Sequence, residues 1–220
     1  MTPTTRKFSA PLIRRLPEYH AFCESIQADG ITTISSTVIA SHCNIDSIVV
    51  RKDLEAIGAT GRPKIGFNVD DLLKSIHEYM GWGNMDELII AGCGSLGSAL
   101  ICYNGFAKRG FKIIAGFDID PQIAGSTIND VSILPMNKLV NIARRLHIEI
   151  GIIAVPAAAA QDVADTMVQG GIRGIWNFSP AALKAPPGVI VQQEDLIASL
   201  VILQKSMNPI KKINHQTEVI

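Results

Sequence analysis

A glycine-rich string occupies residues 92–97, with the order Gly-Cys-Gly-Ser-Leu-Gly and the G-x-G-x-x-G spacing. It follows the apolar run Leu88–Ala91 and opens a helical pattern, and in this strand–loop–helix setting the spacing is typical of a dinucleotide-binding loop. Gly92 permits the tight turn, Gly94 lets a pyrophosphate approach the backbone, and Gly97 lets the helix pack on the strand. The helix N-terminus then offers unpaired N–H groups and a positive dipole end to phosphates. With a ligand-free tight turn as the alternative, the predicted cofactor contacts are Gly92, Cys93, Gly94, Ser95, Leu96 and Gly97.

A carboxylate stands at the end of the next apolar run. Asp118 belongs to the string Phe117-Asp118-Ile119-Asp120-Pro121 and follows Gly97 by about 20 residues, where an acid accepts hydrogen bonds from the adenosine ribose hydroxyls. A negative charge at this place repels a 2′-phosphate, so the sequence predicts NAD(H) rather than NADP(H). The alternative is that Asp118 only caps the following turn.

Few side chains near this predicted site suit acid–base catalysis, for which dehydrogenases use His, Lys or Tyr. His147 precedes a predicted strand, at the wrong end for a site at the carboxyl edge of the sheet, and His215 lies in the polar tail. Tyr103 lies on the predicted helix after the glycine loop, where its ring would either reach the cofactor or pack in the core. The sequence therefore favours cofactor binding without catalysis, and a small NAD-dependent oxidoreductase is the alternative.

Residues 81–192 alternate short apolar runs with helical patterns. The predicted strands are Leu88–Gly92, Ile113–Asp118, Val131–Leu134, Ile150–Pro156, Gly174–Asn177 and Val189–Val191. The predicted helices are Ser95–Arg109, Met136–Leu146, Ala157–Gly170 and, within the segment 193–220, Glu194–Met207. This alternation predicts parallel βαβ units covered on both faces, and therefore an α/β fold with a Rossmann-like parallel sheet and a terminal helix.

Residues 1–80 carry shorter helical patterns around a glycine- and proline-rich stretch. The predicted helices are Tyr19–Ala28, Ser36 to about His42, Asp46–Ile57 and Val69–Met80, with a hairpin over residues 61–69. The third of these helices has a stripe for burial, formed by Val50, Leu54 and Ile57. The order of the elements is typical of a winged helix-turn-helix domain, whose predicted end is Gly81-Trp82-Gly83.

Basic residues cluster on one side of this predicted domain. The third helix would enter a DNA major groove and present Arg51 and Lys52, while the hairpin would form a basic wing. Each charge alone is more often a solvated surface residue, and it is their clustering that favours DNA binding. The predicted DNA contacts are Ser47, Arg51, Lys52, Arg62, Lys64, Arg14 and Arg15, and Arg6 and Lys7 extend the basic arm.

The composition limits these interpretations. Twenty acidic and twenty basic residues leave the chain formally neutral, so it lacks the strongly basic composition of many nucleic-acid-binding proteins. The longest apolar stretch, residues 150–160, contains Pro156 and is too short to cross a membrane. The four cysteines have no metal-ligand spacing, and Cys93 is either a thiol with a lowered pKa at a helix N-terminus or a small residue that fills the loop. We therefore predict a cytoplasmic protein without a membrane segment or a metal.

Several further strings follow one another along the chain. They are Arg14-Arg15-Leu16-Pro17, Val50-Arg51-Lys52-Asp53-Leu54, Tyr103-Asn104-Gly105-Phe106, Phe117-Asp118-Ile119-Asp120-Pro121, the runs 149–156 and 171–180, and Glu194-Asp195-Leu196. Together with the glycine loop they resemble, in this order and over most of the chain, the Rex family of redox-sensing transcriptional repressors.

The resemblance implies a homodimer that exchanges its C-terminal helix, binds a palindromic operator in double-stranded DNA and senses the NADH/NAD+ ratio. NADH would close the dimer and move the DNA-binding domains out of register with adjacent major grooves, which requires it to bind the closed state more tightly. The groups implied near the nicotinamide are Tyr103 and Asp195 of the partner subunit. The other implied cofactor-site residues are Val155, Pro156 and Asn177.

Departures from the family pattern predict an atypical member. Ala21 replaces an arginine that usually pairs with the carboxylate matched by Asp195, and Leu196 replaces an aromatic residue that packs on the nicotinamide. The other departures are Val49 for Gln, Ile57 and Thr60 for two aromatic residues, and Pro63 for Arg in the wing. We expect a weakened or differently connected NADH response, or a different operator preference. A further alternative is a cofactor-binding interaction protein that has lost DNA binding.

Overall fold

The computed structural model of the protein describes residues 9–207, in which the chain divides into two compact units. The N-terminal unit runs to Met85 and includes Lys108–Gly110, and the C-terminal unit comprises Asp86–Ala107 and the chain from Phe111 onward. The division comes after the predicted boundary at residues 80–81, because Trp82 is buried in the core of the N-terminal unit. Arg6, Lys7, His215 and the rest of the predicted tail lie outside the described residues.

Within the described residues, the N-terminal unit consists of four helices and two short strands. The helices are α1 (Ala10–Ala28), α2 (Ser36–Cys43), α3 (Ser47–Ala56) and α4 (Val69–Met80), and the strands are β1 (Thr33–Ile34) and β2 (Phe67–Asn68), which pair antiparallel. Their apolar faces meet in one core around Leu16, Tyr19, Ile39, Leu54 and Ile76. The helix order is that of the predicted winged helix-turn-helix.

Side-chain caps fix where α2 and α3 begin. The Ser35 hydroxyl accepts the N–H of Val38 at 3.2 Å, and the Asp46 carboxylate accepts the N–H of Ile48 at 2.6 Å. Asn44 ends α2 in the left-handed conformation, which a small polar residue tolerates. A short turn between two capped helices therefore sets the start of α3, as the sequence predicts.

The first helix is longer than predicted. It begins at Ala10, not at Tyr19. Pro11 lies in its first turn, where the missing N–H has no intrahelical partner to lose, and Pro17 lies inside the helix. Burial of Leu16 and Tyr19 in the core offsets the backbone hydrogen bond that Pro17 removes, because tertiary packing supplies most of the stability of a helix.

The predicted hairpin over residues 61–69 also differs from the observed structure. Its turn is closed by an isolated antiparallel bridge between Arg62 and Gly66, while Phe67–Asn68 pairs with Thr33–Ile34. Gly66 has a φ of +98°, and a Cβ at this position would overlap the backbone of Ile34. Because this glycine lies so close to β1, the residues after it pair with β1 and do not extend the hairpin.

A seven-stranded sheet organises the described part of the C-terminal unit. Its strands are β3 (Asp86–Ala91), β4 (Phe111–Asp118), β5 (Thr127–Ile128), β6 (Val131–Pro135), β7 (Ile150–Ile153), β8 (Gly174–Asn177) and β9 (Ile190–Gln193). Its helices are α5 (Ser95–Ile101), α6 (Leu139–Arg145), α7 (Ala157–Gln169) and α8 (Leu196–Met207). The strand order is β5-β6-β4-β3-β7-β8-β9, and only β5 is antiparallel to its neighbour. This sheet confirms the predicted Rossmann-like fold.

The central strand β3 shows why this sheet positions a site. Ile89 and Ala91 belong to one buried cluster and Leu88 and Ile90 to another, as expected for a strand covered on both faces. β3 lies between β4 and β7. The strands that follow it in the chain are therefore added first on one side of β3, through β4 to β6, and then on the other side, from β7 to β9. Ligands of open α/β sheets bind at the carboxyl ends of strands at such a switch point.

The predicted helix Ser95–Arg109 is wrong in its second half. α5 ends at Ile101, so Tyr103 lies beyond the helix and not on it. The chain turns at Gly105, where a Cβ would overlap the Tyr103 ring. The predicted helix Met136–Leu146 is also shortened, because its first three residues form a 3₁₀ turn ahead of α6.

The last helix begins two residues later than predicted, at Leu196. The reason is the Asp195 carboxylate, which caps the helix by accepting the N–H groups of Ile197 and Ala198 at 2.9 and 3.0 Å. No residue of α8 is buried within the described chain. The described helices also include none with the length and apolar content needed to cross a membrane.

Candidate functional site

The glycine loop between β3 and α5 has a backbone that excludes side chains at two of its three glycines. Gly92 has a φ of +88°, and a Cβ there would overlap the carbonyl of Ala154. A Cβ on Gly97 would overlap the carbonyl of Gly92, whereas one on Gly94 would have no atom within 4 Å. The outer glycines therefore shape the loop, and Gly94 leaves open space beside the first turn of α5, as a pyrophosphate requires.

The Asp118 carboxylate is held against this loop. Its Oδ2 accepts the N–H of Cys93 at 2.7 Å, and its Oδ1 accepts the N–H of Asp120 at 2.9 Å. Asp118 thus caps the turn after β4, as the alternative interpretation holds, and it also bridges that turn to the glycine loop. A carboxylate accepts about four hydrogen bonds, so both oxygens keep a lone pair for ribose hydroxyls.

A cavity of about 490 Å³ opens over the loop. Its volume lies within the range of small-molecule sites. It is lined by the predicted residues Gly92, Gly94, Asp118, Val155 and Pro156, and also by Ile119, Asp120, Ile123, Met136, Ala154, Ala159, Asp162, Val163 and Thr166. The structure therefore brings the start of the glycine string, Asp118 and the end of the run 149–156 to one place.

The Cys93 thiol is buried behind the loop. Burial raises its pKa to about 11, and the nearby charge of Asp118 adds to the effect. Its Sγ lies 3.7 Å from the carbonyl oxygen of Phe117. A neutral, enclosed thiol is a poor nucleophile. The prediction of a lowered pKa is therefore wrong, and the interpretation of Cys93 as a small loop-filling residue is supported.

Seven predicted cofactor residues do not line this cavity: four belong to the glycine loop itself (Cys93, Ser95, Leu96 and Gly97), and three lie elsewhere in the unit (Tyr103, Asn177 and Asp195). Tyr103 lines a separate cavity of about 290 Å³ and packs edge-on against Phe106. Asn177 is buried and donates to the carbonyl of Ala181 and to Oε1 of Gln193. Asp195 caps α8. Their predicted contacts with the cofactor stay predictions.

A basic groove lies on the surface of the N-terminal unit. It has a volume of about 610 Å³ and runs between the start of α2, the exposed side of α3 and the wing. Ser35, Arg51, Arg62 and Lys64 line it, so three of the predicted DNA contacts come together there. Lys52 is exposed next to the groove on α3, and Arg14 is exposed on α1.

Beneath the exposed side of α3, the Asp53 carboxylate receives three hydrogen bonds. Arg15 donates from Nε at 2.6 Å and from a terminal nitrogen at 2.7 Å, and Tyr19 donates its hydroxyl at 2.8 Å. These bonds raise the pKa of Arg15, while burial and the Asp53 carboxylate raise that of Tyr19. Arg15 therefore holds α1 to α3, and its guanidinium is engaged within the unit rather than free in the predicted basic arm.

The Asp53 contact is a structural feature that was not predicted from the sequence. A signal was present, because Asp53 lies between Val50 and Leu54 on the buried side of α3. A carboxylate in a buried stripe needs charged or hydrogen-bonding partners, and Arg15 was already singled out as a cation. The predicted stripe of Val50, Leu54 and Ile57 is otherwise confirmed.

Comparisons with known proteins agree with both units. A model of a putative DNA-binding protein N-terminus matches residues 7–55, and a model of a CoA binding domain matches residues 84–181. The redox-sensing transcriptional repressor Rex of Carboxydothermus hydrogenoformans is 43% identical over 90% of this chain and 95% of its own length. The chain belongs to the Rex family. Rex of Porphyromonas gingivalis is 35% identical over 91% of this chain and 92% of its own length.

Solved Rex structures have the same fold. RSP, a Rex-family repressor, in complex with β-NAD+ and operator DNA has a TM-score of 0.85 and 34% identity, covering 91% of this chain and 93% of its own. RSP in complex with β-NADH has a TM-score of 0.82 and 33% identity, covering 93% and 96%. The reported relatives carry the repressor name, so the alternative of a small oxidoreductase finds no support among them.

Proposed function

We propose that this protein is a transcriptional repressor that binds operator DNA through the N-terminal unit and NAD(H) through the glycine loop. The observation that carries the proposal is the likeness, over nine-tenths of the chain, to RSP solved with β-NAD+ and operator DNA and with β-NADH. The cavity over the glycine loop and the basic groove supply one candidate surface for each ligand. We place such a repressor in the cytoplasm, together with its operator DNA.

The cavity residues have separate tasks toward NAD(H). The first turn of α5 and the open space at Gly94 accept the pyrophosphate, because the N–H groups and the helix dipole favour negative charge. Asp118 accepts the ribose hydroxyls on lone pairs that the loop leaves available. The same negative charge disfavours a 2′-phosphate, which supports NAD(H) over NADP(H). The nicotinamide supplies the redox signal as a difference of one positive charge.

The N-terminal unit divides its tasks between reading and holding DNA. The N-terminal half of α3, with Ser47 and Arg51, reaches base edges in the major groove, and Lys52 lies beside it. Arg62 and Lys64 of the wing and Arg14 of α1 contact phosphates, which fix the register of the protein on the duplex. Arg15 acts indirectly, because its guanidinium binds Asp53 and positions α3.

A homodimer explains the exposed terminal helix. Its uncovered large apolar side chains are Leu196, Ile197, Leu200, Val201, Ile202, Leu203 and Met207. A helix that is apolar over most of its circumference is stable in water only when another surface covers it. A second copy of the chain that exchanges α8 provides this cover and carries Asp195 toward its partner's cofactor site. Two DNA-binding units related by two-fold symmetry then match a palindromic operator.

The release of DNA by NADH is weaker than the family pattern implies, or other residues couple the cofactor site to the DNA-binding unit. Ala21 on α1 offers no cation for Asp195, and Leu196 offers no aromatic ring for the nicotinamide. NADH must still bind one dimer state more tightly than the other to shift the equilibrium. Tyr103 and Asp195 are the remaining residues proposed to detect the nicotinamide charge.

Selection of genomic DNA fragments by the purified protein, with no cofactor, NAD+ or NADH, tests this function. Enrichment of a palindrome that NADH releases supports the repressor. In the matched control, Asp118→Ala keeps the enrichment and loses the release, because it removes the ribose acceptor and its contact with the glycine loop and changes no residue of the N-terminal unit. Enrichment that ignores NADH contradicts the switch but not DNA binding. A lack of enrichment under every condition contradicts the repressor and favours an interaction protein.

A further inference from the structure

The cavity over the glycine loop has a second end, away from the loop, whose residues have no role in the binding of the pyrophosphate or the ribose. There, α7 contributes Asp162 and Thr166 to the lining. Apolar side chains line the cavity around them, with Ile119 and Ile123 following β4 and Val163 on α7. Flat apolar walls suit an aromatic base, and the polar residues of such pockets fix its orientation.

The order of groups along the cavity identifies which part of a dinucleotide reaches this end. In the proposed function the phosphates lie at the start of α5, and the adenosine ribose lies at Asp118. The base attached to that ribose therefore lies beyond Asp118, between the segment after β4 and α7. Its exposed edge faces the polar residues Asp162 and Thr166.

Of these two residues, Asp162 has the available hydrogen-bonding group. The Thr166 hydroxyl donates to the backbone carbonyl of Asp162 at 2.7 Å. The Asp162 carboxylate has neither a hydrogen bond nor an ion pair within the described part of the chain. The other two carboxylates of the cavity accept backbone N–H groups, Asp118 two of them and Asp120 that of Gln122.

We propose that Asp162 selects adenine by accepting a hydrogen bond from its exocyclic amine. The inference rests on the proposed function, since it assigns a specificity residue within the same NAD(H) site. An ionised carboxylate only accepts hydrogen bonds. Adenine presents a donor at its 6-position, whereas hypoxanthine and guanine present an oxygen acceptor there. A carboxylate placed at the 6-position therefore attracts the amine of adenine and repels the oxygen that the other two bases carry there.

The test compares NADH with reduced nicotinamide hypoxanthine dinucleotide, which differs from it at the 6-position of the base. Dissociation constants are measured on the full chain by the fluorescence of the reduced nicotinamide. We expect the unaltered protein to bind NADH about tenfold more tightly, because one charge-assisted hydrogen bond at an exposed residue contributes about that factor. Asp162→Asn should bring the ratio close to one, since an amide both donates and accepts.

Asp165→Asn is the matched control, because it removes the same charge from the same helix outside the cavity. Asp165 accepts a hydrogen bond from Gln161 at 2.9 Å, and its substitution should leave the tenfold ratio unchanged. Asp162→Ala repeats the test without a replacement donor and should also lose the preference. An unchanged ratio in both Asp162 variants, or equal binding of the two dinucleotides by the unaltered protein, overturns the inference but not the proposed function. Failure to bind either dinucleotide overturns both.

Discussion

The proposed cofactor cavity and the proposed DNA-binding surface are fixed by different means. In the glycine loop the backbone sets the geometry, because Gly92 and Gly97 lie where a Cβ would overlap a carbonyl. On α3 a side-chain contact sets it, because Asp53 binds Arg15 and Tyr19 across 38 and 34 residues of sequence. A motif reveals the first kind of site, since only glycine fits. No such motif reveals the second, since Arg15 and Asp53 are 38 residues apart and only the place of Asp53 on the buried side of α3 indicates the contact.

The two tryptophans allow the two regions to be perturbed and observed separately. Trp82 lies in the N-terminal unit and Trp176 in the C-terminal unit. In a Trp176→Phe background, fluorescence reports the unfolding of the N-terminal unit alone, and in a Trp82→Phe background that of the C-terminal unit. A substitution in one unit should therefore leave the signal of the other unit's tryptophan unchanged.

The largest effect is expected from Asp53→Ala. It leaves the partly buried Arg15 and the buried Tyr19 hydroxyl without their acceptor, and breaking such a buried pair costs about 3 to 5 kcal/mol. The free energy of unfolding, measured by denaturant titration with Trp82 as reporter, should fall by this amount. Arg14→Ala, which removes an exposed neighbouring cation, should change it by about 0.5 kcal/mol or less. Equal effects of the two substitutions would contradict the role of the Asp53 contact.

Gly97→Ala should give the largest effect in the C-terminal unit, about 3 kcal/mol, because its Cβ overlaps the Gly92 carbonyl and the loop must move. Trp176 fluorescence measures the change. Gly94→Ala is the control: its Cβ meets no atom, so stability is retained while the affinity for NADH falls about tenfold as the phosphate space is filled. If Gly97→Ala is as stable as Gly94→Ala, the loop is not shaped as described.

The same contrast explains how much could be predicted from the sequence. The glycine spacing and the alternation of strands and helices are local signals, and each led to the observed element. The end of α5 at Ile101 depends on how Tyr103 packs on Gly105, and the pairing of Phe67–Asn68 depends on the distant β1. The Asp53 contact likewise needs the fold before its partners can be identified. These three features depend on packing that exists only in the folded chain, so local patterns could not predict them.

The salt dependence of operator binding separates DNA contacts from residues that position them. Arg62→Ala removes one predicted phosphate contact, so the slope of log K against log salt should become shallower by about 0.9. Arg15→Lys should weaken binding with an unchanged slope, since a lysine loses the two-pronged contact with Asp53 but no phosphate contact. Lys74→Ala, an exposed cation on α4, should change neither quantity. A shallower slope for Arg15→Lys would show that Arg15 contacts a DNA phosphate directly.

The smallest effect we expect is a dependence of the N-terminal unit on acid. His20 on α1 lies within 2.7 Å of His77 on α4, Nε2 to Nε2, and burial lowers its pKa, with the charges of His77 and Arg109 adding and that of Glu24 opposing. The unfolded chain therefore binds more protons than the folded one. The contribution to stability is complete above the unfolded pKa of about 6.5 and is lost as the pH falls below it.

The unfolding free energy reported by Trp82 should accordingly decrease from pH 8 to pH 5, and this decrease should be shallower in His20→Leu, which cannot be protonated. Trp176, which reports the glycine-loop unit, should show no change in its pH profile on this substitution. An unchanged slope at Trp82 in His20→Leu would show that other groups cause the acid sensitivity. If the substitution flattens this slope, the contact of His20 with His77 holds α1 to α4, as the contact of Arg15 with Asp53 holds α1 to α3.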